Sequence, residues 1–419
     1  MIYVRLVFII FCLFAGTRFL HADEAGYGIS GNPGAVNILT GTGELGEFLR
    51  IPKRSGIRLG GLWMGDYNVL LSGVDHQRRG TGNSLLILDL FIDLQKAIGW
   101  KGASFGTEFL QFNGQPTNED AGVVQGYNSL PGAPPLNRSE LYQLWLYQQF
   151  LDDRLSVRIG KTVPTYHFNN VSKPVPKENP TVSIPSVSGL IYTPIFVNTT
   201  LLGAIGGYYN SVYGIVVTVA PVQQAYVNIG FFDGNLARGV QTGLKGPHFN
   251  GYYFSIIEGG YGWTHPKPGI TAIGGWYQSG LLKAGTQREH GTGGLYVFGS
   301  QALWIKDSES TQKNISGFYQ FGWNNSRTLE MNLYVGLGLT AFALVPKRPN
   351  DSFGVGVAWS RLNPHLFSRF SELMFQGYYQ TQVYKSIYFQ PVLSYIPNPG
   401  AHPNKSNVCA ITARLTVLF

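Results

Sequence analysis

The chain has 419 residues, of which only 13% are charged and 14% are aromatic, with 54 glycines and a formal charge of +8. Soluble domains carry about a quarter charged residues, yet no apolar run beyond the N-terminus reaches the roughly 20 residues of a spanning helix, so neither an ordinary soluble domain nor a helical membrane protein fits. The basic residues do not cluster, which excludes a nucleic-acid footprint; beyond the first 22 residues Cys409 stands alone, which excludes an intrachain disulfide framework.

In chain order, Met1–Arg5 carries one positive charge, Leu6–Gly16 is apolar, and FLHA precedes Asp23. This predicts a secretory signal peptide over residues 1–22, cut after Ala22; an uncleaved anchor would need a longer run. Loss of Arg5 and Arg18 takes the charge from +8 to +6. Residues 23–56 are expected to form an N-terminal periplasmic segment, followed by a barrel over 57–419.

From residue 57 onward, alternation with period two dominates. Residues 84–98 place Leu86, Leu88, Leu90, Ile92 and Leu94 opposite Asp89, Asp93 and Gln95. Two carboxylates facing a dry core would be costly, whereas on a wet lumen wall they cost little. The same scheme recurs at 329–342, at 386–396 around Pro391, and at 408–419, where Arg414 interrupts an otherwise apolar ending on Phe419. Short turns are expected at 99–102, 152–153 and 384–385, and long Gly/Pro/Asn connections at 71–83, 113–138, 164–210, 234–250, 280–292 and 397–406. Short turns at one rim and long loops at the other are the pattern of a transmembrane β-barrel.

Sixteen strands follow, at about 57–70, 84–98, 103–112, 139–151, 154–163, 211–220, 225–233, 252–262, 270–279, 293–304, 315–324, 328–342, 352–360, 370–383, 386–396 and 407–419. The fold expected is all-β, an antiparallel transmembrane barrel. The connection 164–210 holds Pro164, Pro174, Pro176, Pro180, Pro185 and Pro194. Prolines suit a fixed excursion, so this loop is expected to fold inward and narrow the pore; the alternative, a disordered outer loop, conflicts with its low charge.

Period-two assignment turns Arg58, Asp89, Asp93, Glu108, Arg158, Glu330, Glu372 and Arg414 toward the lumen. Trp145 and Tyr147 share a face that counts as inward from the 152–153 turn, and a girdle of rim aromatics is the competing assignment. Any of the inward charges is open to two roles, contact with solute or bracing of the wall. Arg78, Arg79, Arg238 and Arg288 fall in predicted outer loops, where they would recruit solute or hold lipopolysaccharide phosphates. No G-x-S-x-G elbow is present and the histidines lack metal-ligand spacing, so no catalytic residue, metal or cofactor is expected; an outer-membrane barrel enzyme is the third-ranked reading.

Several co-linear stretches resemble a known family: TGELGEFL and SGIRLGG (42–61), DLQKAIGWKG (93–102), ELYQLWLYQQFLDDRLSVRIGK (140–161), EGGY (258–261), KPGITAIGGWYQSG (267–280) and FQPVLSYIPNPG (389–400). Together they are similar to the carbohydrate-selective porins of the OprB type. The resemblance implies a sixteen-stranded outer-membrane barrel, monomeric or trimeric, that passes glucose-type sugars or small oligosaccharides through an arginine-rich, aromatic-lined constriction. It also implies that Glu258 faces the lumen and that Phe419 is the signal read by the barrel assembly machinery in a membrane of lipids and lipopolysaccharide. A general diffusion porin without sugar preference is the second reading.

Overall fold

The computed structural model describes residues 42–419 apart from 74–79, 132–135, 152–153, 173–174, 177–182, 185–188, 208, 223, 241–245, 307–312, 403 and 405–406. The expected signal peptide, most of the 23–56 segment, Arg78, Arg79 and the 152–153 turn therefore lie outside the described residues. The strands are β1 (Ile57–Ser72), β2 (Gly80–Asp93), β3 (Ala103–Asn113), β4 (Asn137–Phe150), β5 (Leu155–Thr162), β6 (Val175–Pro176), β7 (Ser183–Ile184), β8 (Val212–Val222), β9 (Ala225–Asp233), β10 (Tyr253–Trp263), β11 (Gly269–Ala284), β12 (Gln287–Ile305), β13 (Asn314–Asn324), β14 (Met331–Phe342), β15 (Ser352–Leu362), β16 (Ser371–Tyr384), β17 (Ile387–Ile396) and β18 (Val408–Leu418). The short β6 and β7 pair only with each other. The other sixteen form one closed antiparallel barrel in which β5 pairs with β8 and β18 closes on β1.

Two faces follow from the pleat. On β13, Ser316, Phe318, Gln320 and Asn324 are buried while Tyr319, Phe321 and Trp323 are exposed. The same alternation leaves Ile273, Val355, Leu393 and Ile411 on the outside, the apolar exterior that lipid requires. At the seam, Phe419 and Gly61 exchange both backbone hydrogen bonds, at 2.9 and 2.8 Å. A Cβ on Gly61 would lie 2.6 Å from the Phe419 ring, so glycine is what lets the terminal ring lie on β1. The Phe419 carbonyl also accepts from Thr42 N at 3.1 Å, and the Ser386 hydroxyl donates to Glu44 Oε1 at 3.0 Å, which ties the helix Glu44–Phe48 to the chain-end rim.

Four expectations are corrected. Residues 280–292 are the ends of β11 and β12 rather than a loop, with only 285–286 between them. A register shift between Gln278 and Leu281 absorbs Ser279 and Gly280, whose loop-like composition belongs to a bulge. Residues 94–98 form a helical turn instead of continuing β2, because Asp93 accepts from Lys96 N at 3.1 Å as its N-cap and Gly99 ends it at φ 79. Glu330 does not lie on a lumen-facing strand; it is exposed in the connection ahead of β14. There Glu289 accepts from Arg327 N at 2.9 Å and from the Thr328 hydroxyl at 2.6 Å, holding the chain out of the ladder.

The fourth correction concerns the inner face, which is not uniformly polar. Leu62, Met64, Leu85, Ile87, Leu110 and Phe112 point inward and pack with Leu130, Val163 and Tyr209 of the long connections. On the opposite side, Ile191, Tyr192, Ile195 and Leu201 join Phe254, Tyr296, Phe298 and Tyr334 in one apolar cluster. Apolar residues are stable on the inner wall because these chain segments cover them. Gln376 fixes two segments at once, accepting from Ile191 N at 2.6 Å and donating to the Tyr127 carbonyl at 3.0 Å.

At the chain-end rim, outside the strands, Asp351 closes the connection 343–351. Burial alone would raise its carboxyl, but hydrogen bonds from Arg348, Tyr379, Thr381 (3.0 Å) and Gln382 N (3.2 Å) outweigh it and hold the group below the ordinary aspartate range. A depressed carboxylate contributes stability that is present above its unfolded pKa and is lost as pH falls through the folded one. The protection factor of the Gln382 amide, taken against the intrinsic exchange rate at each pH, should therefore fall by about tenfold on acidification below pH 3.8. Asp351→Asn should show fast exchange already at neutral pH, and identical protection in the two proteins would refute the assignment.

Candidate functional site

Three inward rows cross β1–β5 side by side. The central row follows the register from Arg58 to Phe91, Gly106, Trp145 and Gly160. On the long-loop side runs Gly60, Asp89, Glu108 and Gln143; on the chain-end side runs Asp93, Ser104, Tyr147 and Arg158. The register thus brings six predicted residues, Arg58, Asp89, Glu108, Trp145, Tyr147 and Arg158, onto one patch of wall.

Within the patch, cations and rings alternate. The Arg158 guanidinium carbon stands 3.9 Å from the Trp145 ring centre and 5.7 Å from that of Tyr147. Trp145 and Phe91 are 6.3 Å apart at 53°, and the Arg58 guanidinium lies 5.6 Å from Phe91. Such stacking keeps the arginines extended along the wall. Arg58 Nη2 also donates to Asp89 Oδ1 at 3.2 Å. Gly106 supplies the room: a Cβ there would be 2.2 Å from Trp145 Cζ2, so the indole lies against the backbone of β3. Trp145 therefore sits in the inner wall and not in a rim girdle. The patch thus combines two guanidiniums with the Asp89 and Glu108 carboxyl groups.

Three other predicted residues engage the long connections. Arg414 forms a two-pronged pair with its register partner Asp66, at 2.8 and 2.7 Å, and both meet Asn128: Arg414 Nη2 donates to Asn128 Oδ1 at 3.3 Å and Asn128 Nδ2 donates to Asp66 Oδ2 at 2.8 Å. Glu372 accepts from the backbone N–H of Val124 (3.0 Å), Gln125 (2.8 Å) and Gly400 (2.6 Å). Glu258, fully buried, accepts from the Tyr226 and Tyr296 hydroxyls, each at 2.8 Å, and from Asn169 N at 2.6 Å. These inward charges act as anchors for the connections that follow β3, β5 and β17. Asp93 caps its helix, Glu330 stands apart at the opposite rim, and Phe419 is at the seam. Of the predicted loop arginines, Arg238 lies 4.7 Å from the Tyr252 ring and Arg288 lies in β12.

Phe91, Gly106, Asp66, Asn128 and Gln376 were not singled out from sequence. Phe91 lies two residues from Asp89 and from Asp93, so their alternation carries the signal that places it inward. Asp66 lies on the Arg58 alternation, and an inward Arg414 calls for an acid on the strand that closes against it. Asn128 and Gln376 carry no sequence signal, because their partners are backbone groups and side chains far along the chain.

Comparison with known proteins converges on one group. The family model described as carbohydrate-selective porin, OprB family, matches residues 86–419. Porin B of Pseudomonas aeruginosa is 21% identical over 408 residues, covering 83% of this chain and 84% of that protein. The high-pH structure of Pseudomonas putida OprB shares the fold with a TM-score of 0.76 at 17% identity, over 90% of this chain and 97% of that one. The low-pH structure of the same protein gives 0.58 at 15% identity with equal coverage. The family match spans most of the barrel, including β2 from Leu86 onward and β3 to β5, with all but Arg58 of the wall patch. The chain is a member of the OprB family of carbohydrate-selective outer-membrane porins.

Proposed function

We propose that sugars of the glucose type diffuse passively through this barrel along the inner wall of β1–β5, with the Arg58–Phe91–Trp145–Arg158 alternation as their contact surface. That alternation is the observation on which the reading rests. A pyranose offers flat C–H faces and a rim of hydroxyls; aromatic rings match the faces and guanidinium N–H groups donate to the hydroxyl oxygens. Passage needs contacts that replace water without holding the solute. The location is supported by burial: Arg58, Phe91, Tyr147 and Arg158 are only partly buried and Trp145 is 9% exposed, whereas inward residues of β10–β16 such as Phe254, Tyr296 and Tyr334 are at 1% or less. In this reading the connection after β5 narrows the opposite side of the pore, and residues 1–22 serve as the export signal.

Proteoliposome swelling across a sugar series tests the reading. Glucose should enter faster than an amino acid of matching size, and equal rates would favour the general diffusion porin. In single channels, Arg158→Ala should raise the half-blocking sugar concentration by about tenfold, the loss of a stacked, multidentate donor. Unchanged block in a correctly assembled barrel would remove Arg158 from the contact surface.

A further inference from the structure

β4 does something a regular strand cannot. Near the long-loop rim its even residues face inward: Arg138 and Glu140 pair with the inward Phe112 and Leu110 of β3. Nearer the chain ends its odd residues face inward: Gln143, Trp145 and Tyr147 pair with Glu108, Gly106 and Ser104. The phase changes at Tyr142, the extra residue of a β-bulge between Glu108 and Phe109. Tyr142 also points in, with its hydroxyl 3.0 Å from that of Tyr166 and accepting from Tyr209 N at 3.0 Å. The bulge thus lets one strand present two inward sets, one that holds the connection after β5 and one that forms the sugar-contact wall. Without it, a period of two would send one set to lipid.

Lys161 stands at this irregularity. Its side chain is fully buried, and Nζ donates to the Leu141 carbonyl at 2.6 Å with Glu140 Oε2 at 4.0 Å. Leu141 lies beyond the last β4–β5 register pair, Leu144 with Lys161, so the lysine reaches past the end of the ladder to occupy a carbonyl next to the bulged residue. Glu140 is held from its other side by Arg138 Nε at 3.0 Å. The preceding Gly160, opposite Trp145, has φ 136, and a Cβ there would be 2.2 Å from the Leu144 carbonyl oxygen. The turn of backbone that sends the lysine to Leu141 is therefore open only to glycine.

We infer that Lys161 is a positioning residue for the sugar wall: by occupying the Leu141 carbonyl it fixes the bulge at Tyr142 and thereby the inward phase of Trp145 and Tyr147. Burying an ammonium is costly, and a bulge carbonyl with a charge-assisted donor is what offsets that cost here. This inference rests on the proposed sugar contact for its functional consequence but not for its structural one.

The test uses labelling with a membrane-impermeant maleimide, read without sugar, in full-length protein carrying Cys409→Ser. Leu141→Cys and Trp145→Cys are four residues apart; a regular strand puts them on one face, whereas the bulge puts 145 inside and 141 outside. The parent should react at 145 only. With Lys161→Met added, the two positions should react alike, and the half-blocking sugar concentration of Lys161→Met alone should rise by about tenfold. Retention of the 145-only pattern in Lys161→Met overturns the inference. Changed labelling with unchanged sugar block would leave the positioning role standing and count against the sugar wall. Should Lys161→Met fail to assemble, Lys161→Arg keeps a donor within reach of Leu141: the 145-only pattern is then expected, and loss of it in an assembled barrel refutes the role.

Discussion

Arg414→Met should lower the stability of the barrel by about 3–5 kcal/mol, the usual cost of stranding one member of a buried ion pair. Asp66 would be left as a fully buried carboxylate side chain beside Asn128, whose amide donates to one of its oxygens. The effect has two parts that separate experimentally. The pair bridges β18 and β1, so its loss acts on the seam that closes the sheet. It also orients Asn128, which donates to Asn68 Oδ1 at 2.9 Å and, with Thr412 donating to the same Asn68 oxygen at 2.7 Å, fixes the connection after β3 to the wall. Urea unfolding of the refolded barrel reports the first part, and current noise in single channels reports the second. Asp66→Leu combined with Arg414→Met should recover most of the stability, since no charge is stranded, while the noise persists because the anchor for Asn128 is gone. A single variant as stable as the parent would show that water reaches Asp66 and that the pair contributes little.

The role of Arg414 illustrates what a sequence can and cannot disclose here. Its inward direction was legible from Phe419 backward by counting in twos, because a strand's side-chain period is fixed by the backbone. The sixteen strands were legible for the same reason, as was the even count with both ends at one rim. What Arg414 touches was not, because Asp66 and Asn128 are separated from it by nearly the whole chain. Glu258 and Glu372 repeat the case: alternation or family likeness turns them inward, but three convergent backbone or phenolic donors at each reveal anchors for inner segments.

The misread elements share a different cause. Ser279 and Gly280 have loop composition but sit in a bulge, Leu94–Ile98 has strand-like composition but follows a capping aspartate, and Tyr142 breaks the phase of β4 without any Gly or Pro to mark it. In each, one local hydrogen-bonding choice overrides the hydrophobic period. The apolar inner wall has a further cause. Leu62, Ile87 and Phe112 share the inward alternation of Arg58, Asp89 and Glu108, and their apolar character there is explained only by the segments that cover them. Trp145 was divided between rim and lumen on sequence grounds, and what settles it is a glycine on the neighbouring strand in register with it.

That glycine carries the second large prediction. Gly106→Ala should abolish the cation–ring alternation while leaving the barrel assembled. The new Cβ would fall 2.2 Å from Trp145 Cζ2 and 2.4 Å from Cε2, well inside contact distance. Relief by backbone movement is restricted, since Gly106 is held in register between Phe91 and Trp145 on its two neighbouring strands. The indole must therefore leave the wall, and in leaving it gives up Arg158, now 3.9 Å from the ring centre, and Phe91, 6.3 Å away. Alanine is otherwise harmless in a strand that faces a wet lumen, so the loss is specific to the patch. Two aromatic contacts and an oriented guanidinium together amount to about 2–3 kcal/mol, or a rise of roughly thirty- to a hundred-and-fifty-fold in the half-blocking sugar concentration. Trp145→Ala alone should do nearly as much. The combination Gly106→Ala with Trp145→Ala then decides the mechanism: because the alanine acts only by displacing the ring, the double variant should block no worse than Trp145→Ala, a coupling energy close to the whole effect of Gly106→Ala. Additive losses would mean that the methyl group obstructs the solute path directly, and Trp145 would cease to be the reason that Gly106 is a glycine.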